Sequence, residues 1–182
     1  KKETVLERVV VLSTCNRTEI YTTVRDLEQG QRVLHDYMAH KLGIEEDLLK
    51  KILYIPNCYQ ATEHLFRVAS GLDSMILGES QILGQVRDAY SEAREQGASN
   101  GVLNALFQKA ITVGKRARTE TELDRNAVSI SYAAVEKAKQ VFGDLKGRAV
   151  LIIGAGEMSE LALSYLMANG VSTVLVSNRS YE

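Results

Sequence analysis

The chain has 182 residues, 45% hydrophobic and 25% charged, enough for one ordinary core and part of another. With 22 Lys and Arg against 23 Asp and Glu, the formal charge of −1 excludes a globally basic polyanion binder, although a local basic face stays open. Two distant cysteines, Cys15 and Cys58, exclude a secreted disulfide framework, and no signal peptide or long apolar span is present, so a soluble cytoplasmic protein is the expectation.

The first Lys and the final Ser180-Tyr181-Glu182, just after a predicted strand, make both ends read as cut. Val9 to Leu12 is an apolar, mostly β-branched run that reads as a buried strand, and Thr18 to Val24 reads as a second. Cys15 therefore falls at a strand end or tight connection, where a rigid scaffold holds reactive groups. From Leu27 to Leu42, apolar residues at Val33, Leu34, Tyr37, Met38 and Leu42 mark one face of a helix that ends at Gly43. Ala61, Leu65, Phe66, Val68 and Ala69 mark another, broken at Ser70-Gly71. The stretch from Gly71 to Gln85 then mixes Gly71, Gly78 and Gly84 with polar groups, and glycines let backbone approach a ligand closely. It leads into a helix that reaches Glu95 and stops at Gly97. Further helices are predicted from Val102 to about Glu120 and from Val128 to Phe142, the latter with Asn126 as N-cap and Gly143 past its end.

From Arg148 the pattern changes. Ala149 to Ile153 is a continuous apolar strand, Gly154 to Ser159 a glycine turn, Leu161 to Asn169 a helix, and Thr173 to Ser177 a second strand. This is a β-α-β unit whose strands lack polar alternation, as expected of a parallel sheet covered on both faces. A domain boundary near Asp144 to Gly147 follows. The fold class is α/β: an α+β domain with a small sheet and helices, then the start of a Rossmann-like parallel domain.

Several side chains stand out chemically. In an extended segment, Arg17 would lie on the same side as Cys15, where it can favour a thiolate or hold a carboxylate bidentately. The alternative is a buried cysteine packed as a small hydrophobe beside an exposed arginine. Gly154-Ala155-Gly156 follows a buried strand and opens a helix, the place where a dinucleotide pyrophosphate meets backbone N–H groups. Arg179 at the end of the next strand suits the 2′-phosphate of NADP, where an acidic residue would suit NAD. His64 can exchange protons near neutral pH or be structural, while His35 and His40 read as surface residues and Cys58 as packing. No cysteine has a partner at zinc spacing, so no metal site is expected. Lys109, Lys115, Arg116 and Arg118 make one helix basic toward its C-terminus, complementing the helix dipole or contacting RNA phosphate.

Together these segments resemble the glutamyl-tRNA reductase family over nearly the whole chain. Ser13-Thr14-Cys15-Asn16-Arg17-Thr18-Glu19-Ile20-Tyr21 is similar to that family's nucleophile motif. His64 to Ser74, with Gly78-Glu79-Ser80-Gln81-Ile82-Leu83-Gly84-Gln85-Val86, is similar to its second signature. Gly154-Ala155-Gly156-Glu157-Met158 followed by Asn178-Arg179-Ser180 resembles its cofactor motif. Ser159 departs from the family's usual glycine and Ser80 from its common proline.

The resemblance implies an enzyme that reduces glutamyl-tRNA with NADPH to glutamate-1-semialdehyde, at the head of tetrapyrrole synthesis. Cys15 would be the nucleophile forming a thioester, and His64 a proton donor or a group that orients the site. Thr14, Asn16 and Arg17 would hold the glutamyl group, with Ser74, Glu79, Ser80, Gln81 and Gln85 lining the same pocket. Gly154, Ala155, Gly156, Glu157, Met158, Ser159 and Arg179 would hold the cofactor. It also implies a catalytic domain over residues 1–125 lacking its first strand, a linker helix over 126–146 and the start of the NADP-binding domain over 147–182. A homodimer through a further C-terminal domain and transfer of product to glutamate-1-semialdehyde aminomutase are implied as well, and no membrane. Two other readings compete: a shikimate-dehydrogenase-like oxidoreductase with no covalent intermediate, and a non-catalytic tRNA-binding regulatory module.

Overall fold

Alternation of buried Val10 and Leu12 with exposed neighbours makes strand β1 (Leu6–Ser13) a one-sided strand rather than one covered on both faces. It pairs antiparallel with β2 (Thr18–Val24), from Ser13 opposite Thr18 to Leu6 opposite Val24. The computed structural model describes residues 5–121, 123, 130–154 and 156–179. Asn126, Val128, Ala155 and Ser180 lie outside them, as do the side chains of Glu157 and Met158.

After the hairpin come α1 (Leu27–Leu42), α2 (Glu46–Ile52), α3 (Cys58–Ala69), α4 (Gln81–Glu95) and α5 (Gly101–Glu120). The Asp26 side chain caps α1 by accepting from Gln29 N–H, and Gly43 ends it in the left-handed region at φ 63°. Helix α2 has no counterpart among the predicted elements, because seven residues are too few to show a period. Cys58 and His35 also depart from expectation. Cys58 is exposed at the start of α3 with φ 48°, not packed, and the His35 side chain on α1 is only 12% exposed, not a surface group.

The core of this first unit joins Val10, Leu12 and Tyr21 of the hairpin to Leu65, Val68 and Ala69 of α3, Val86 and Tyr90 of α4, and Phe107 of α5. Phe107 is the hub: Tyr21 meets it edge-on at 5.3 Å and Tyr90 stacks on it at 5.7 Å. Helix α5 reaches α3 through Gly114, where an added Cβ would lie 2.5 Å from the Ala69 carbonyl oxygen. The end of α3 is a Schellman turn: Gly71 at φ 77° donates to Val68, and Leu72 donates to Arg67, both at 2.9 Å. Gly78 N–H then closes the following loop on the Gly71 carbonyl at 2.9 Å.

The chain divides into two compact units, Lys1–Asn126 and Ala127–Glu182. The second holds α6 (Ile130–Phe142), β3 (Ala149–Ile153), α7 (Glu157–Ala168) and β4 (Thr173–Ser177). The helix expected as a linker packs inside this unit: Val135 of α6 meets Leu145 and Val171, and Tyr132 meets Tyr165 of α7 edge-on at 5.5 Å. Strands β3 and β4 pair parallel in register, with α7 as the crossover. Helix α7 starts at Glu157, four residues before the expected Leu161, because Gly156 caps it directly after the turn. Against expectation, the strands are not covered on both faces in this chain: Val150 and Val174 pack, while Leu151, Ile153 and Leu175 are exposed. Among the described residues, no helix is long and apolar enough to cross a membrane.

Candidate active site

The connection between β1 and β2 is a tight turn over residues 14–17. Thr14 N–H donates to the Arg17 carbonyl at 2.8 Å, and the Thr14 hydroxyl accepts from the N–H groups of Asn16 and Arg17, each at 3.2 Å. The Thr14 hydroxyl therefore braces the turn. Cys15 sits at its tip, an exposed free thiol, which removes the alternative of a packed buried cysteine. The segment is not extended, so the two-residue alternation that placed Arg17 beside Cys15 does not hold across it.

Arg17 turns inward, its side chain 8% exposed. Its Nη1 donates to Glu19 Oε1 at 2.9 Å and to Asp73 Oδ2 at 3.0 Å, and Nη2 donates to the Asp73 carbonyl. Glu19 in turn gathers Tyr21, Tyr54 and His64. The Tyr21 hydroxyl donates to Oε2 and the Tyr54 hydroxyl to Oε1, both at 2.5 Å, and His64 Nε2 lies 2.8 Å from Oε1. Burial alone would push the Glu19 carboxyl up, but the hydrogen bonds from His64, Tyr21 and Tyr54 outweigh it and hold the group at about 2. An ionised carboxylate only accepts, so His64 presents Nε2–H to Glu19 and keeps Nδ1 for other partners. Burial, then the bond to Glu19, pushes both tyrosine hydroxyls well above their usual range, so each stays a donor.

The structure thus brings Arg17 and His64 together through Glu19, and it adds Tyr21, Tyr54 and Asp73, which were not among the expected site residues. The spacing Arg17, Glu19, Tyr21 does carry a signal, since alternate strand positions share a face and a polar set there faces the core side. Nothing in the sequence marks Tyr54, which lies in the connection between α2 and α3.

Ser74 follows Asp73, and its hydroxyl is shielded from solvent without a hydrogen-bond partner. Glu79 lies in the loop before α4, and its carbonyl accepts from Arg118 at 2.6 Å. Ser80 and Gln81 are exposed at the start of α4 and Gln85 is half-buried one turn on. No hydrogen bond joins Glu79, Ser80 or Gln85 to the Arg17, Glu19 and His64 network among the described residues. The basic end of α5 is partly engaged, since Arg116 pairs with Glu120 at 2.8 Å while Lys109 and Lys115 are exposed.

In the second unit, Gly154 takes φ 98° and its N–H donates to Ser177 at 2.8 Å, which fixes the turn across the strand ends. A Cβ at Gly154 or Gly156 would meet nothing within 4 Å, so the backbone is open to an approaching group. Gly156 caps α7 with no side-chain bond, leaving its first N–H groups for an anion. Half-buried Ser159 donates its N–H to Gly156, and exposed Arg179 follows the end of β4. These residues fit a dinucleotide.

An exposed free thiol on a braced turn in one unit and a parallel β-α-β arrangement of nucleotide-binding type in the other define a two-unit α/β protein with a Rossmann-like second unit. Residues 1–121 match the family described as glutamyl-tRNAGlu reductase, N-terminal domain, and the chain belongs to that family. Residues 136–182 match the shikimate / quinate 5-dehydrogenase family. Glutamyl-tRNA reductase of Pelotomaculum thermopropionicum is 58% identical over 182 residues, all of this chain and 41% of the relative. That of Moorella thermoacetica is 55% identical over 183 residues, all of this chain and 42% of the relative. The solved structure of glutamyl-tRNA reductase from Methanopyrus kandleri aligns at a TM-score of 0.57 with 41% identity, covering 97% of this chain and 41% of that one. The chain spans about two-fifths of the length of the curated relatives it matches.

Proposed function

We propose that this chain carries the acyl-transfer unit and the start of the reducing unit of an NADPH-dependent glutamyl-tRNA reductase. The observation that carries the reading is the exposed Cys15 at the tip of a turn whose base, Arg17, is anchored to the buried Glu19, which also binds His64. Cys15 as thiolate attacks the ester carbonyl of glutamyl-tRNA; the carbon–oxygen bond breaks, the ribose oxygen leaves with a proton, and glutamate stays as a thioester. NADPH, when bound, supplies the hydride that converts such a thioester to glutamate-1-semialdehyde. Arg17 takes the substrate's side-chain carboxylate, because a planar fork separates glutamate from glutamine. His64, with Nε2–H held by Glu19, either orients the site or supplies the proton from Nδ1. Thr14 keeps the turn rigid, and Asn16, Ser74, Glu79, Ser80, Gln81 and Gln85 line the approach. Gly154, Ala155, Gly156, Glu157, Met158 and Ser159 hold the pyrophosphate of NADPH, and Arg179 its 2′-phosphate. The full protein acts in the cytoplasm as a homodimer and passes its product to glutamate-1-semialdehyde aminomutase.

The test is to incubate the full-length protein with glutamyl-tRNA and NADPH. A hydroxylamine-labile glutamyl adduct on Cys15 and a semialdehyde product are expected. Cys15→Ser should keep the native melting temperature and make no semialdehyde, since an oxygen ester is a poor hydride acceptor. Near-normal turnover by that variant would remove the nucleophile assignment. The match of residues 136–182 to the shikimate / quinate dehydrogenases favours a second reading, a dehydrogenase without a covalent intermediate. It requires that no adduct form on Cys15.

A further inference from the structure

The Arg17 fork already holds a carboxylate where a substrate's would bind. Both protons of Nη1 are engaged, one by Glu19 Oε1 at 2.9 Å and one by Asp73 Oδ2 at 3.0 Å, and Nη2 reaches the Asp73 carbonyl. Three of the five guanidinium donors are thus taken, and a third carboxylate brought to the Nη1 edge must displace one of the first two, since like charges crowded on one guanidinium repel. The two residents differ sharply. Glu19 is 6% exposed and accepts from Arg17, Tyr21, Tyr54 and His64, so moving it would strand four donors. Asp73 is 39% exposed, and its carboxylate has Arg17 as its partner. It also sits in the loop after α3 flanked by Gly71 and Gly78, both at positive φ. The neighbouring Ser74 hydroxyl, shielded and without a partner, is a polar group such a ligand would satisfy.

We infer that Asp73 is a resident carboxylate that the side-chain carboxylate of the substrate displaces from Arg17, so that recognition is an exchange of one carboxylate for another. Asp73 thereby sets the concentration at which substrate binds, while the Asp73 carbonyl on Nη2 keeps the fork aimed. This rests on the proposed role of Arg17 as partner of the glutamyl side chain.

Steady-state kinetics of the full-length protein with glutamyl-tRNA test it. Asp73→Asn removes the competing charge, and KM is expected to fall about two- to fivefold, the range of a partly exposed ion pair, with kcat moving less than KM. Asp73→Glu, which keeps a carboxylate, should return KM toward the native value. If Asp73→Asn disturbs the fold, Asp73→Ser reads the same quantity. A KM that rises or stays unchanged would overturn the inference, and would make Asp73 a brace for Arg17 instead of a competitor. Failure of the parent reading looks different: Arg17→Met alone would then leave KM at its native value.

Discussion

Glu19 accepts from Arg17, Tyr21, Tyr54 and His64 while 6% exposed, so this single carboxylate ties β2, α3 and the segment between α2 and α3 to the turn that bears Cys15. Its carboxyl is held at about 2 against an ordinary 4.5. A group with a depressed folded value stabilises fully above its ordinary value and loses that contribution as pH falls through the folded one. Glu19 therefore stabilises the first unit at pH 7 and ceases to between about pH 4.5 and about pH 2. The shift corresponds to about 3 kcal/mol. Glu19→Gln should be less stable by that order in urea at pH 7, and its stability should change less than the native protein's from pH 5 to pH 3. Parallel pH profiles for the two proteins would show that this carboxylate is not what acid disrupts. Of this site, Cys15, Arg17 and His64 were legible as chemistry-bearing residues in a distinctive setting. Asp73 and Tyr54 were not, because their roles depend on contacts 56 and 35 positions away in the chain, which no local period reports.

The elements themselves were legible where length and period were sufficient. Helices α1 and α5 begin and end within a residue or two of their apolar stripes and caps, and α4 ends at Glu95 as expected but begins at Gln81, inside the stretch read as loop up to Gln85, because Ile82 already belongs to its buried face. What no stripe reports is how closely two helices approach. Gly114 lets α5 come against the end of α3, and a Cβ there would meet the Ala69 carbonyl oxygen at 2.5 Å and a Leu83 methyl at 2.9 Å. Backbone cannot give way as a side chain does, so Gly114→Ala should cost about 1–3 kcal/mol in spite of alanine's better helix propensity. Because the same helix end carries the loop with Ser74, proposed to line the substrate's approach, the substitution should also raise KM for glutamyl-tRNA. Gly84→Ala on α4 is the contrast: a Cβ there meets nothing within 4 Å, so it should stabilise by about 0.5–1 kcal/mol. Thermal melts of the two variants side by side check both signs. A stable Gly114→Ala would mean that α3 and α5 adjust freely.

At the scale of the whole chain, the residues proposed for acyl transfer, from Cys15 to Gln85, all lie in the unit Lys1–Asn126, whereas the glycine turn and Arg179 lie in Ala127–Glu182. Each unit has its own core, around Phe107 in one and around Val135, Leu145 and Val171 in the other. The second contributes two parallel strands, with Leu151, Ile153 and Leu175 exposed, where a dinucleotide-binding sheet ordinarily has about six. Its turn is proposed to meet a pyrophosphate, but among the described residues the nicotinamide half of a cofactor has no further strands beneath it. The two half-reactions should therefore separate. Given glutamyl-tRNA, the 182-residue chain should transfer glutamate to Cys15, then lose it slowly as water attacks the thioester, releasing free glutamate and free tRNA. With excess NADPH it should make no semialdehyde. Following radiolabelled glutamate with and without NADPH reads both halves at once: release that depends on Cys15 and ignores NADPH is the expected pattern. Labelled semialdehyde from this chain would show that hydride transfer needs no more of the sheet than β3 and β4, and the division of labour between the two units would fall.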